Sequence, residues 1–227
     1  LKATIAASTE RIEANHDAFT RDLIPVITGS DTSYIYELDT IFPHLDYTFQ
    51  MQKISANIYV KKKFNAKSTL KIGFNNSLHL YDFKDSIRSY DSLNMPVHDW
   101  QVRWDANAMA QLIQPYIQWK YKINDQWTFN AGIHSMYYSL TNSMSLLEPR
   151  AGLQWDNKKG AMMSIGMGRH SQTQAPYVYF YAPEGNVKEP VNRKLGLTKS
   201  DHYVMSFNKA IGRDARVKLE SYYQYLY

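Results

Sequence analysis

The 227-residue sequence contains no cysteine, which removes disulfide frameworks, thiolate metal sites and thiol redox chemistry together. It has no run near the roughly 18 to 20 apolar residues of a membrane helix. Helical spans are therefore excluded, but a membrane barrel, whose signal per strand is much weaker, is not. No serine occupies a nucleophile elbow and no histidines stand at metal-ligand spacing, so a catalytic reading finds no support and no cofactor or metal is expected. The chain opens at Leu1 with no methionine and no basic-then-apolar leader. An exported protein would have lost its address or would carry it upstream.

Aromatic residues are plentiful instead. Eighteen Tyr and 5 Trp accompany a hydrophobic content of 44%, yet mean hydropathy is −0.49. That combination suits strands alternating polar and apolar residues rather than one thick core. The net charge is +5. Acidic residues gather between 12 and 46 (Glu13, Asp17, Asp22, Asp31, Glu37, Asp39 and Asp46), with Arg21 the one Lys or Arg there, and the remainder is strongly basic. The lysines sit beside turns rather than in one patch, which reads as a solvated or interfacial rim, and no nucleic-acid partner is expected.

The stretch Leu147–Gln172 is the most legible. Pro149, Ala151, Leu153 and Trp155 alternate with Glu148, Arg150 and Gln154; after Asp156-Asn157-Lys158-Lys159-Gly160, Met163, Ile165 and Met167 alternate with Met162, Ser164, Gly166 and Gly168. Period-two alternation on both sides of a Gly-containing turn predicts an antiparallel hairpin with one apolar face. Taking Lys158 as the centre of the turn, Glu148 would face Gly168 and Arg150 would face Gly166.

The same alternation recurs. It runs through residues 2–11, 47–63 (Ile54, Ala56, Ile58, Val60), 70–80, 113–123, 127–134 and the pair 203–207 and 217–225. Pro115 counts against a central strand unless a bulge lies there, because it removes a ladder donor. Short turns fall near 65, 125, 158 and 213. Between them lie longer connections: the acidic stretch 12–46, residues 84–105, a modest loop near 143, and 171–200 with Pro176, Pro183 and Pro190. One end of the sheet thus has tight turns and the other long loops, with Trp119, Tyr121, Trp127 and Trp155 near the tight-turn end, where an aromatic girdle belongs.

These features predict an all-β chain of about nine amphipathic strands, an incomplete portion of a transmembrane antiparallel β-barrel. A soluble or surface β-sandwich, such as a carbohydrate-binding module, is the alternative. Its strands are usually shorter and its turns closer together.

Leu147-Glu148-Pro149-Arg150-Ala151-Gly152-Leu153-Gln154-Trp155 and Gly166-Met167-Gly168-Arg169-His170-Ser171-Gln172 resemble a run in the barrel of TonB-dependent outer-membrane receptors. The resemblance is closest to those with a carboxypeptidase-regulatory-like domain ahead of the plug. It continues through Asn192-Arg193-Lys194-Leu195, Lys199–Val204 and Leu219–Gln224, and is looser over 47–146. It implies short periplasmic turns, long extracellular loops and residence in the outer membrane of a Gram-negative bacterium. It also implies uptake of a scarce nutrient, such as an iron chelate or another large solute, without catalysis. The implied partners are outer-membrane lipid, the receptor's own plug domain, an inner-membrane energising complex and a surface lipoprotein. Residues 1–227 contain no segment resembling a plug or an energy-coupling box. Nine antiparallel strands cannot close a barrel, because the first and last would run parallel. The whole chain therefore reads as part of a barrel wall.

Candidate contacts to plug or ligand are Glu148 and Arg150 on the polar face, His170 and Gln172 where that hairpin meets its loop, and Tyr177 and Tyr179 in the aromatic run 177–181. Each has a plainer reading. Glu148 and Arg150 would form an ion-pair network wetting the wall, His170, His134 and His79 would be isolated polar residues, and the tyrosines would pack a loop.

Overall fold

A computed structural model describes residues 1–91, 95–97, 99–182, 190–212 and 214–227. Pro183 and Arg213 lie outside the described residues. The strands are β1 (Lys2–Thr28), β2 (Asp31–Lys63), β3 (Ser68–Ile87), β4 (Gln101–Lys122), β5 (Trp127–Tyr138), β6 (Ser143–Asp156), β7 (Ala161–Gln172), β8 (Thr198–Ile211) and β9 (Ala215–Leu226). Among the described residues they form one nine-stranded sheet in sequence order, every neighbouring pair antiparallel. A sandwich would need two packed sheets, so that alternative is set aside.

The tight turns follow from asparagine chemistry. Asn65 Oδ1 accepts the amides of Lys67 and Ser68, both at 2.8 Å. Asn124 Oδ1 accepts those of Gln126 and Trp127 at 2.9 and 2.8 Å. Asn157 Oδ1 accepts those of Lys159 and Ala161 at 2.8 and 2.9 Å. Each side chain replaces a backbone acceptor where the chain reverses.

Alternation puts Ile54, Ile58, Ile72, Ile117, Ile133, Ile165, Met205 and Leu219 on one face, and all of them are roughly half exposed or more. A ladder row Trp127, Trp155, Met163, Phe207, Leu219 crosses this face near the tight turns. There the Trp127 and Trp155 rings lie 6.5 Å apart. An apolar band of this extent left uncovered marks a surface that water does not normally face.

Two differences from the sequence reading, and the break at Pro115, have physical causes. Residues 12–46 are not a loop. They pair as the ends of β1 and β2, joined at Gly29-Ser30, with Gly29 at φ 66°. Beyond Leu45, where the pairing with β3 stops, this hairpin continues as a two-stranded ribbon. Pro115 does sit at a break. The β4–β5 ladder skips Gln114 and Pro115, next to a bulge of β6 in which Leu146 and Leu147 together oppose Ser135. The same bulge puts both Leu146 and Leu147 outward, 69% and 59% exposed. Finally, the β6–β7 register is displaced by two residues, so Arg150 faces Gly168 and Gly152 faces Gly166.

Candidate functional site

The opposite face is polar and its rows align across the sheet. One runs Lys61, Lys71, Gln118, Gly132, Arg150, Gly168, His202, Gln224. A neighbouring row runs Tyr59, Gly73, Tyr116, His134, Glu148. Glycines alternate with large groups because long side chains lie across them: the Tyr116 ring covers Gly73, and Arg150 covers Gly168. The sheet can carry bulky polar groups flat only where its neighbours have no Cβ.

Glu148 is fully buried. Its Oε2 stands 2.7 Å from His134 Nδ1 and 3.6 Å from Arg150 Nη2. Glu148 Oε1 and Arg150 Nε have no hydrogen-bond partner among the described residues. A buried carboxylate is retained only when charge and hydrogen bonds compensate its desolvation. His134 and Arg150 supply most of that compensation, with the Ser145 and Ser171 hydroxyls close by.

His170 does not pair with Glu148. Its ring lies tilted against that of His202, with centroids 4.4 Å apart. His202 Nε2 lies 2.6 Å from Ser200 Oγ, and its Nδ1 lies 3.1 Å from the Tyr222 hydroxyl. His202 is the neighbour that reading single hairpins misses. It shares the polar parity of β8, but only the β7–β8 register places it opposite Gly168. Gln172 pairs with Thr198 at the end of the same ladder and is exposed. Among the described residues no group of three or more His, Asp or Glu is arranged to hold a metal; His79 sits on β3, stacked on Tyr81 at 5.8 Å.

The β7–β8 connection folds back over the polar face. A helical turn, α1 (Pro176–Tyr179), begins with proline, whose fixed φ suits a first helical position. It delivers Tyr179 and Phe180 into a cluster with Tyr81, Phe83, Ala110 and Tyr138. Phe180 meets Phe83 edge-on at 5.5 Å, and Tyr179 lies 5.6 Å from Tyr138. The Tyr179 hydroxyl accepts the Gln174 amide at 2.7 Å. Burial pushes its phenol above the ordinary tyrosine value, because the phenolate would lose solvation. Arg193 spreads its guanidinium over Phe180 at 4.4 Å, and burial pulls its pKa down. Tyr177 and Tyr181 are half exposed. The aromatic run thus divides: Tyr179 and Phe180 fill a core, while Tyr177 and Tyr181 face outward.

No family model matches the chain, and no curated protein matches it. Solved structures do. The outer membrane transporter YddB from Escherichia coli superposes at TM-score 0.59 with 12% identity, covering 98% of this chain and 32% of that one. FpvAI in its complex with pyocin S2 gives TM-score 0.59 and 12% identity, covering 97% of this chain and 30% of that one. The fold is therefore that of an incomplete portion of an outer-membrane transporter barrel. The chain spans about a third of the length of the structures it matches.

Proposed function

We propose that residues 1–227 form part of the barrel wall of a TonB-dependent outer-membrane receptor in a Gram-negative bacterium. The receptor takes up a scarce nutrient such as an iron chelate or another large solute, and plays no catalytic part. The supporting observation is the two-faced sheet: an exposed apolar band with tryptophans on one side, and aligned polar rows with a folded-back loop on the other. In this reading the apolar side meets lipid and the polar side faces the lumen.

The resemblance of 147–172 points to the type with a carboxypeptidase-regulatory-like domain. The implied partners are a plug domain of the same receptor, an inner-membrane energising complex and a surface lipoprotein. Glu148, Arg150, His170 and Gln172 are then wall residues offered to plug or solute, with Tyr177 at the outer mouth. Tyr179 acts indirectly, by seating the loop that carries Tyr177. The solved complex of FpvAI with pyocin S2 is compatible with a receptor surface that engages large partners.

A deletion strain tests this. It should lose uptake of one nutrient class during growth on limiting iron or limiting glycan, and a protonophore should abolish the same uptake in the parent strain. Uptake that survives the protonophore would contradict an energised receptor.

A further inference from the structure

The lysines that look scattered in sequence gather in space. An open depression of about 880 Å³ on the polar face, toward the tight-turn end, is lined by Lys61, Lys63, Lys71, Lys120, Lys122 and Arg150, with Lys67 in the adjoining turn. Among the described residues its lining contains no aspartate or glutamate. The lysine ion pairs among the described residues are Lys158–Asp156 and Lys218–Glu220, both outside this group. Lys61 and Lys71 stand directly opposite one another on β2 and β3, an arrangement of like charges that weakens a sheet unless something offsets it. Lys71 Nζ lies 4.2 Å from the Tyr59 ring centre and 4.9 Å from that of Tyr116, so one cation sits against both rings.

Beside the cations lies a floor of small residues. Gly132 and Gly152 line the depression with Ala131 and Ala151. A Cβ at Gly152 would meet only backbone atoms, the nearest at 3.4 Å. Among the described residues no side chain requires that space, which leaves the backbone open to approach between Arg150 and the lysines. From β2 to β6 the arc spans roughly 19 Å at the usual strand separation. Arg150 already has Glu148 at 3.6 Å, but several lysines over that width with no ion pair among the described residues match a ligand presenting several oxyanions.

We propose that this depression binds a solute carrying two or more carboxylate or phosphate groups. The proposal rests on the polar face being the lumen wall. The test is calorimetric titration of the detergent-purified receptor with citrate and, separately, with pyrophosphate, at low salt and at about tenfold higher salt. Saturable binding is expected for at least one anion, weakened by salt. It should fall at least about tenfold in Lys71→Gln/Lys120→Gln, and stay unchanged in Lys158→Gln/Lys159→Gln, whose side chains lie outside the depression. The two anions separate a carboxylate ligand from a phosphate ligand. Absence of saturable heat with both anions, or equal binding in the Lys71/Lys120 variant, would each overturn the proposal. Heat-dependent gel migration of the same samples reports barrel integrity independently, so a failed barrel is distinguishable from a failed anion site.

Discussion

Arg150 faces Gly168 directly across the β6–β7 ladder, and a methyl group added at Gly168 would come within 3.0 Å of Arg150 Cγ and 3.3 Å of His170 Nε2. The glycine is what lets the arginine lie along the wall toward Glu148. Gly168→Val should therefore lift Arg150 away and destabilise the hairpin by about 1–3 kcal/mol. Gly166→Val is the control, because its nearest neighbour is a backbone oxygen at 3.7 Å, and should cost less. Urea unfolding midpoints in lipid vesicles measure both.

Glu148 supports His134 from a fully buried position. Removing the carboxylate leaves the largely buried His134 ring without its acceptor and Arg150 without its counter-charge, and leaving a buried polar group unsatisfied typically costs about 1–3 kcal/mol. Glu148→Ala should approach that loss in the same unfolding assay, whereas Glu148→Gln, which keeps a hydrogen-bond acceptor for His134, should lose distinctly less.

Phe180 anchors the folded-back loop against Tyr81 and Phe83. Phe180→Ala should weaken docking of α1 by about 3–5 kcal/mol, leaving the strands paired. Limited proteolysis should then cut within the 173–197 connection much faster than in the unsubstituted protein, with β1–β9 fragments still migrating together.

Alkaline pH should release the same loop. The folded state holds the Tyr179 phenol above its usual pKa, so the phenol's contribution is fully present below about pH 10 and is lost as pH rises through the higher folded value. Protease sensitivity of the loop should rise above about pH 10. In Tyr179→Phe, which cannot ionise, that component of the rise should disappear.

Much of the wall was legible because its strands obey one simple rule. Ile54, Ala56, Ile58 and Val60 alternate without a break, and the register of β2 against β3 is unbroken from Leu45 to Lys63. The β1–β2 ribbon was illegible for the converse reason. Register slips at His16/Asp17 and Phe19/Arg21 break its period, and both of its faces mix apolar with acidic residues. The two-residue displacement of the β6–β7 hairpin arises in the turn itself. Lys158 adopts φ 59° and Gly160 φ 93°, which centres the reversal one residue later than symmetry about Lys158 suggests. The candidate site was readable only as far as single hairpins allow. Glu148, Arg150 and His170 share a face by parity, but Phe180 meeting Phe83, or His202 meeting His170, joins segments whose adjacency no local pattern encodes. The lysine arc was hidden similarly, since Lys61, Lys71 and Lys120 each look like an ordinary turn-flanking charge until the register stacks them.

Site-directed spin labelling in native outer membranes tests the central claim most directly. Labels at Leu153, Ile165 and Leu219, on the apolar face, should show accessibility to oxygen over a water-soluble nickel complex, as lipid contact requires. Labels at Gln154, Ser164 and Glu220, one residue away on the polar face, should show the reverse. Labels at Leu153, Ile165 and Leu219 that report a tightly packed interior closed to both reagents, or free access to the nickel complex, would contradict a membrane barrel wall.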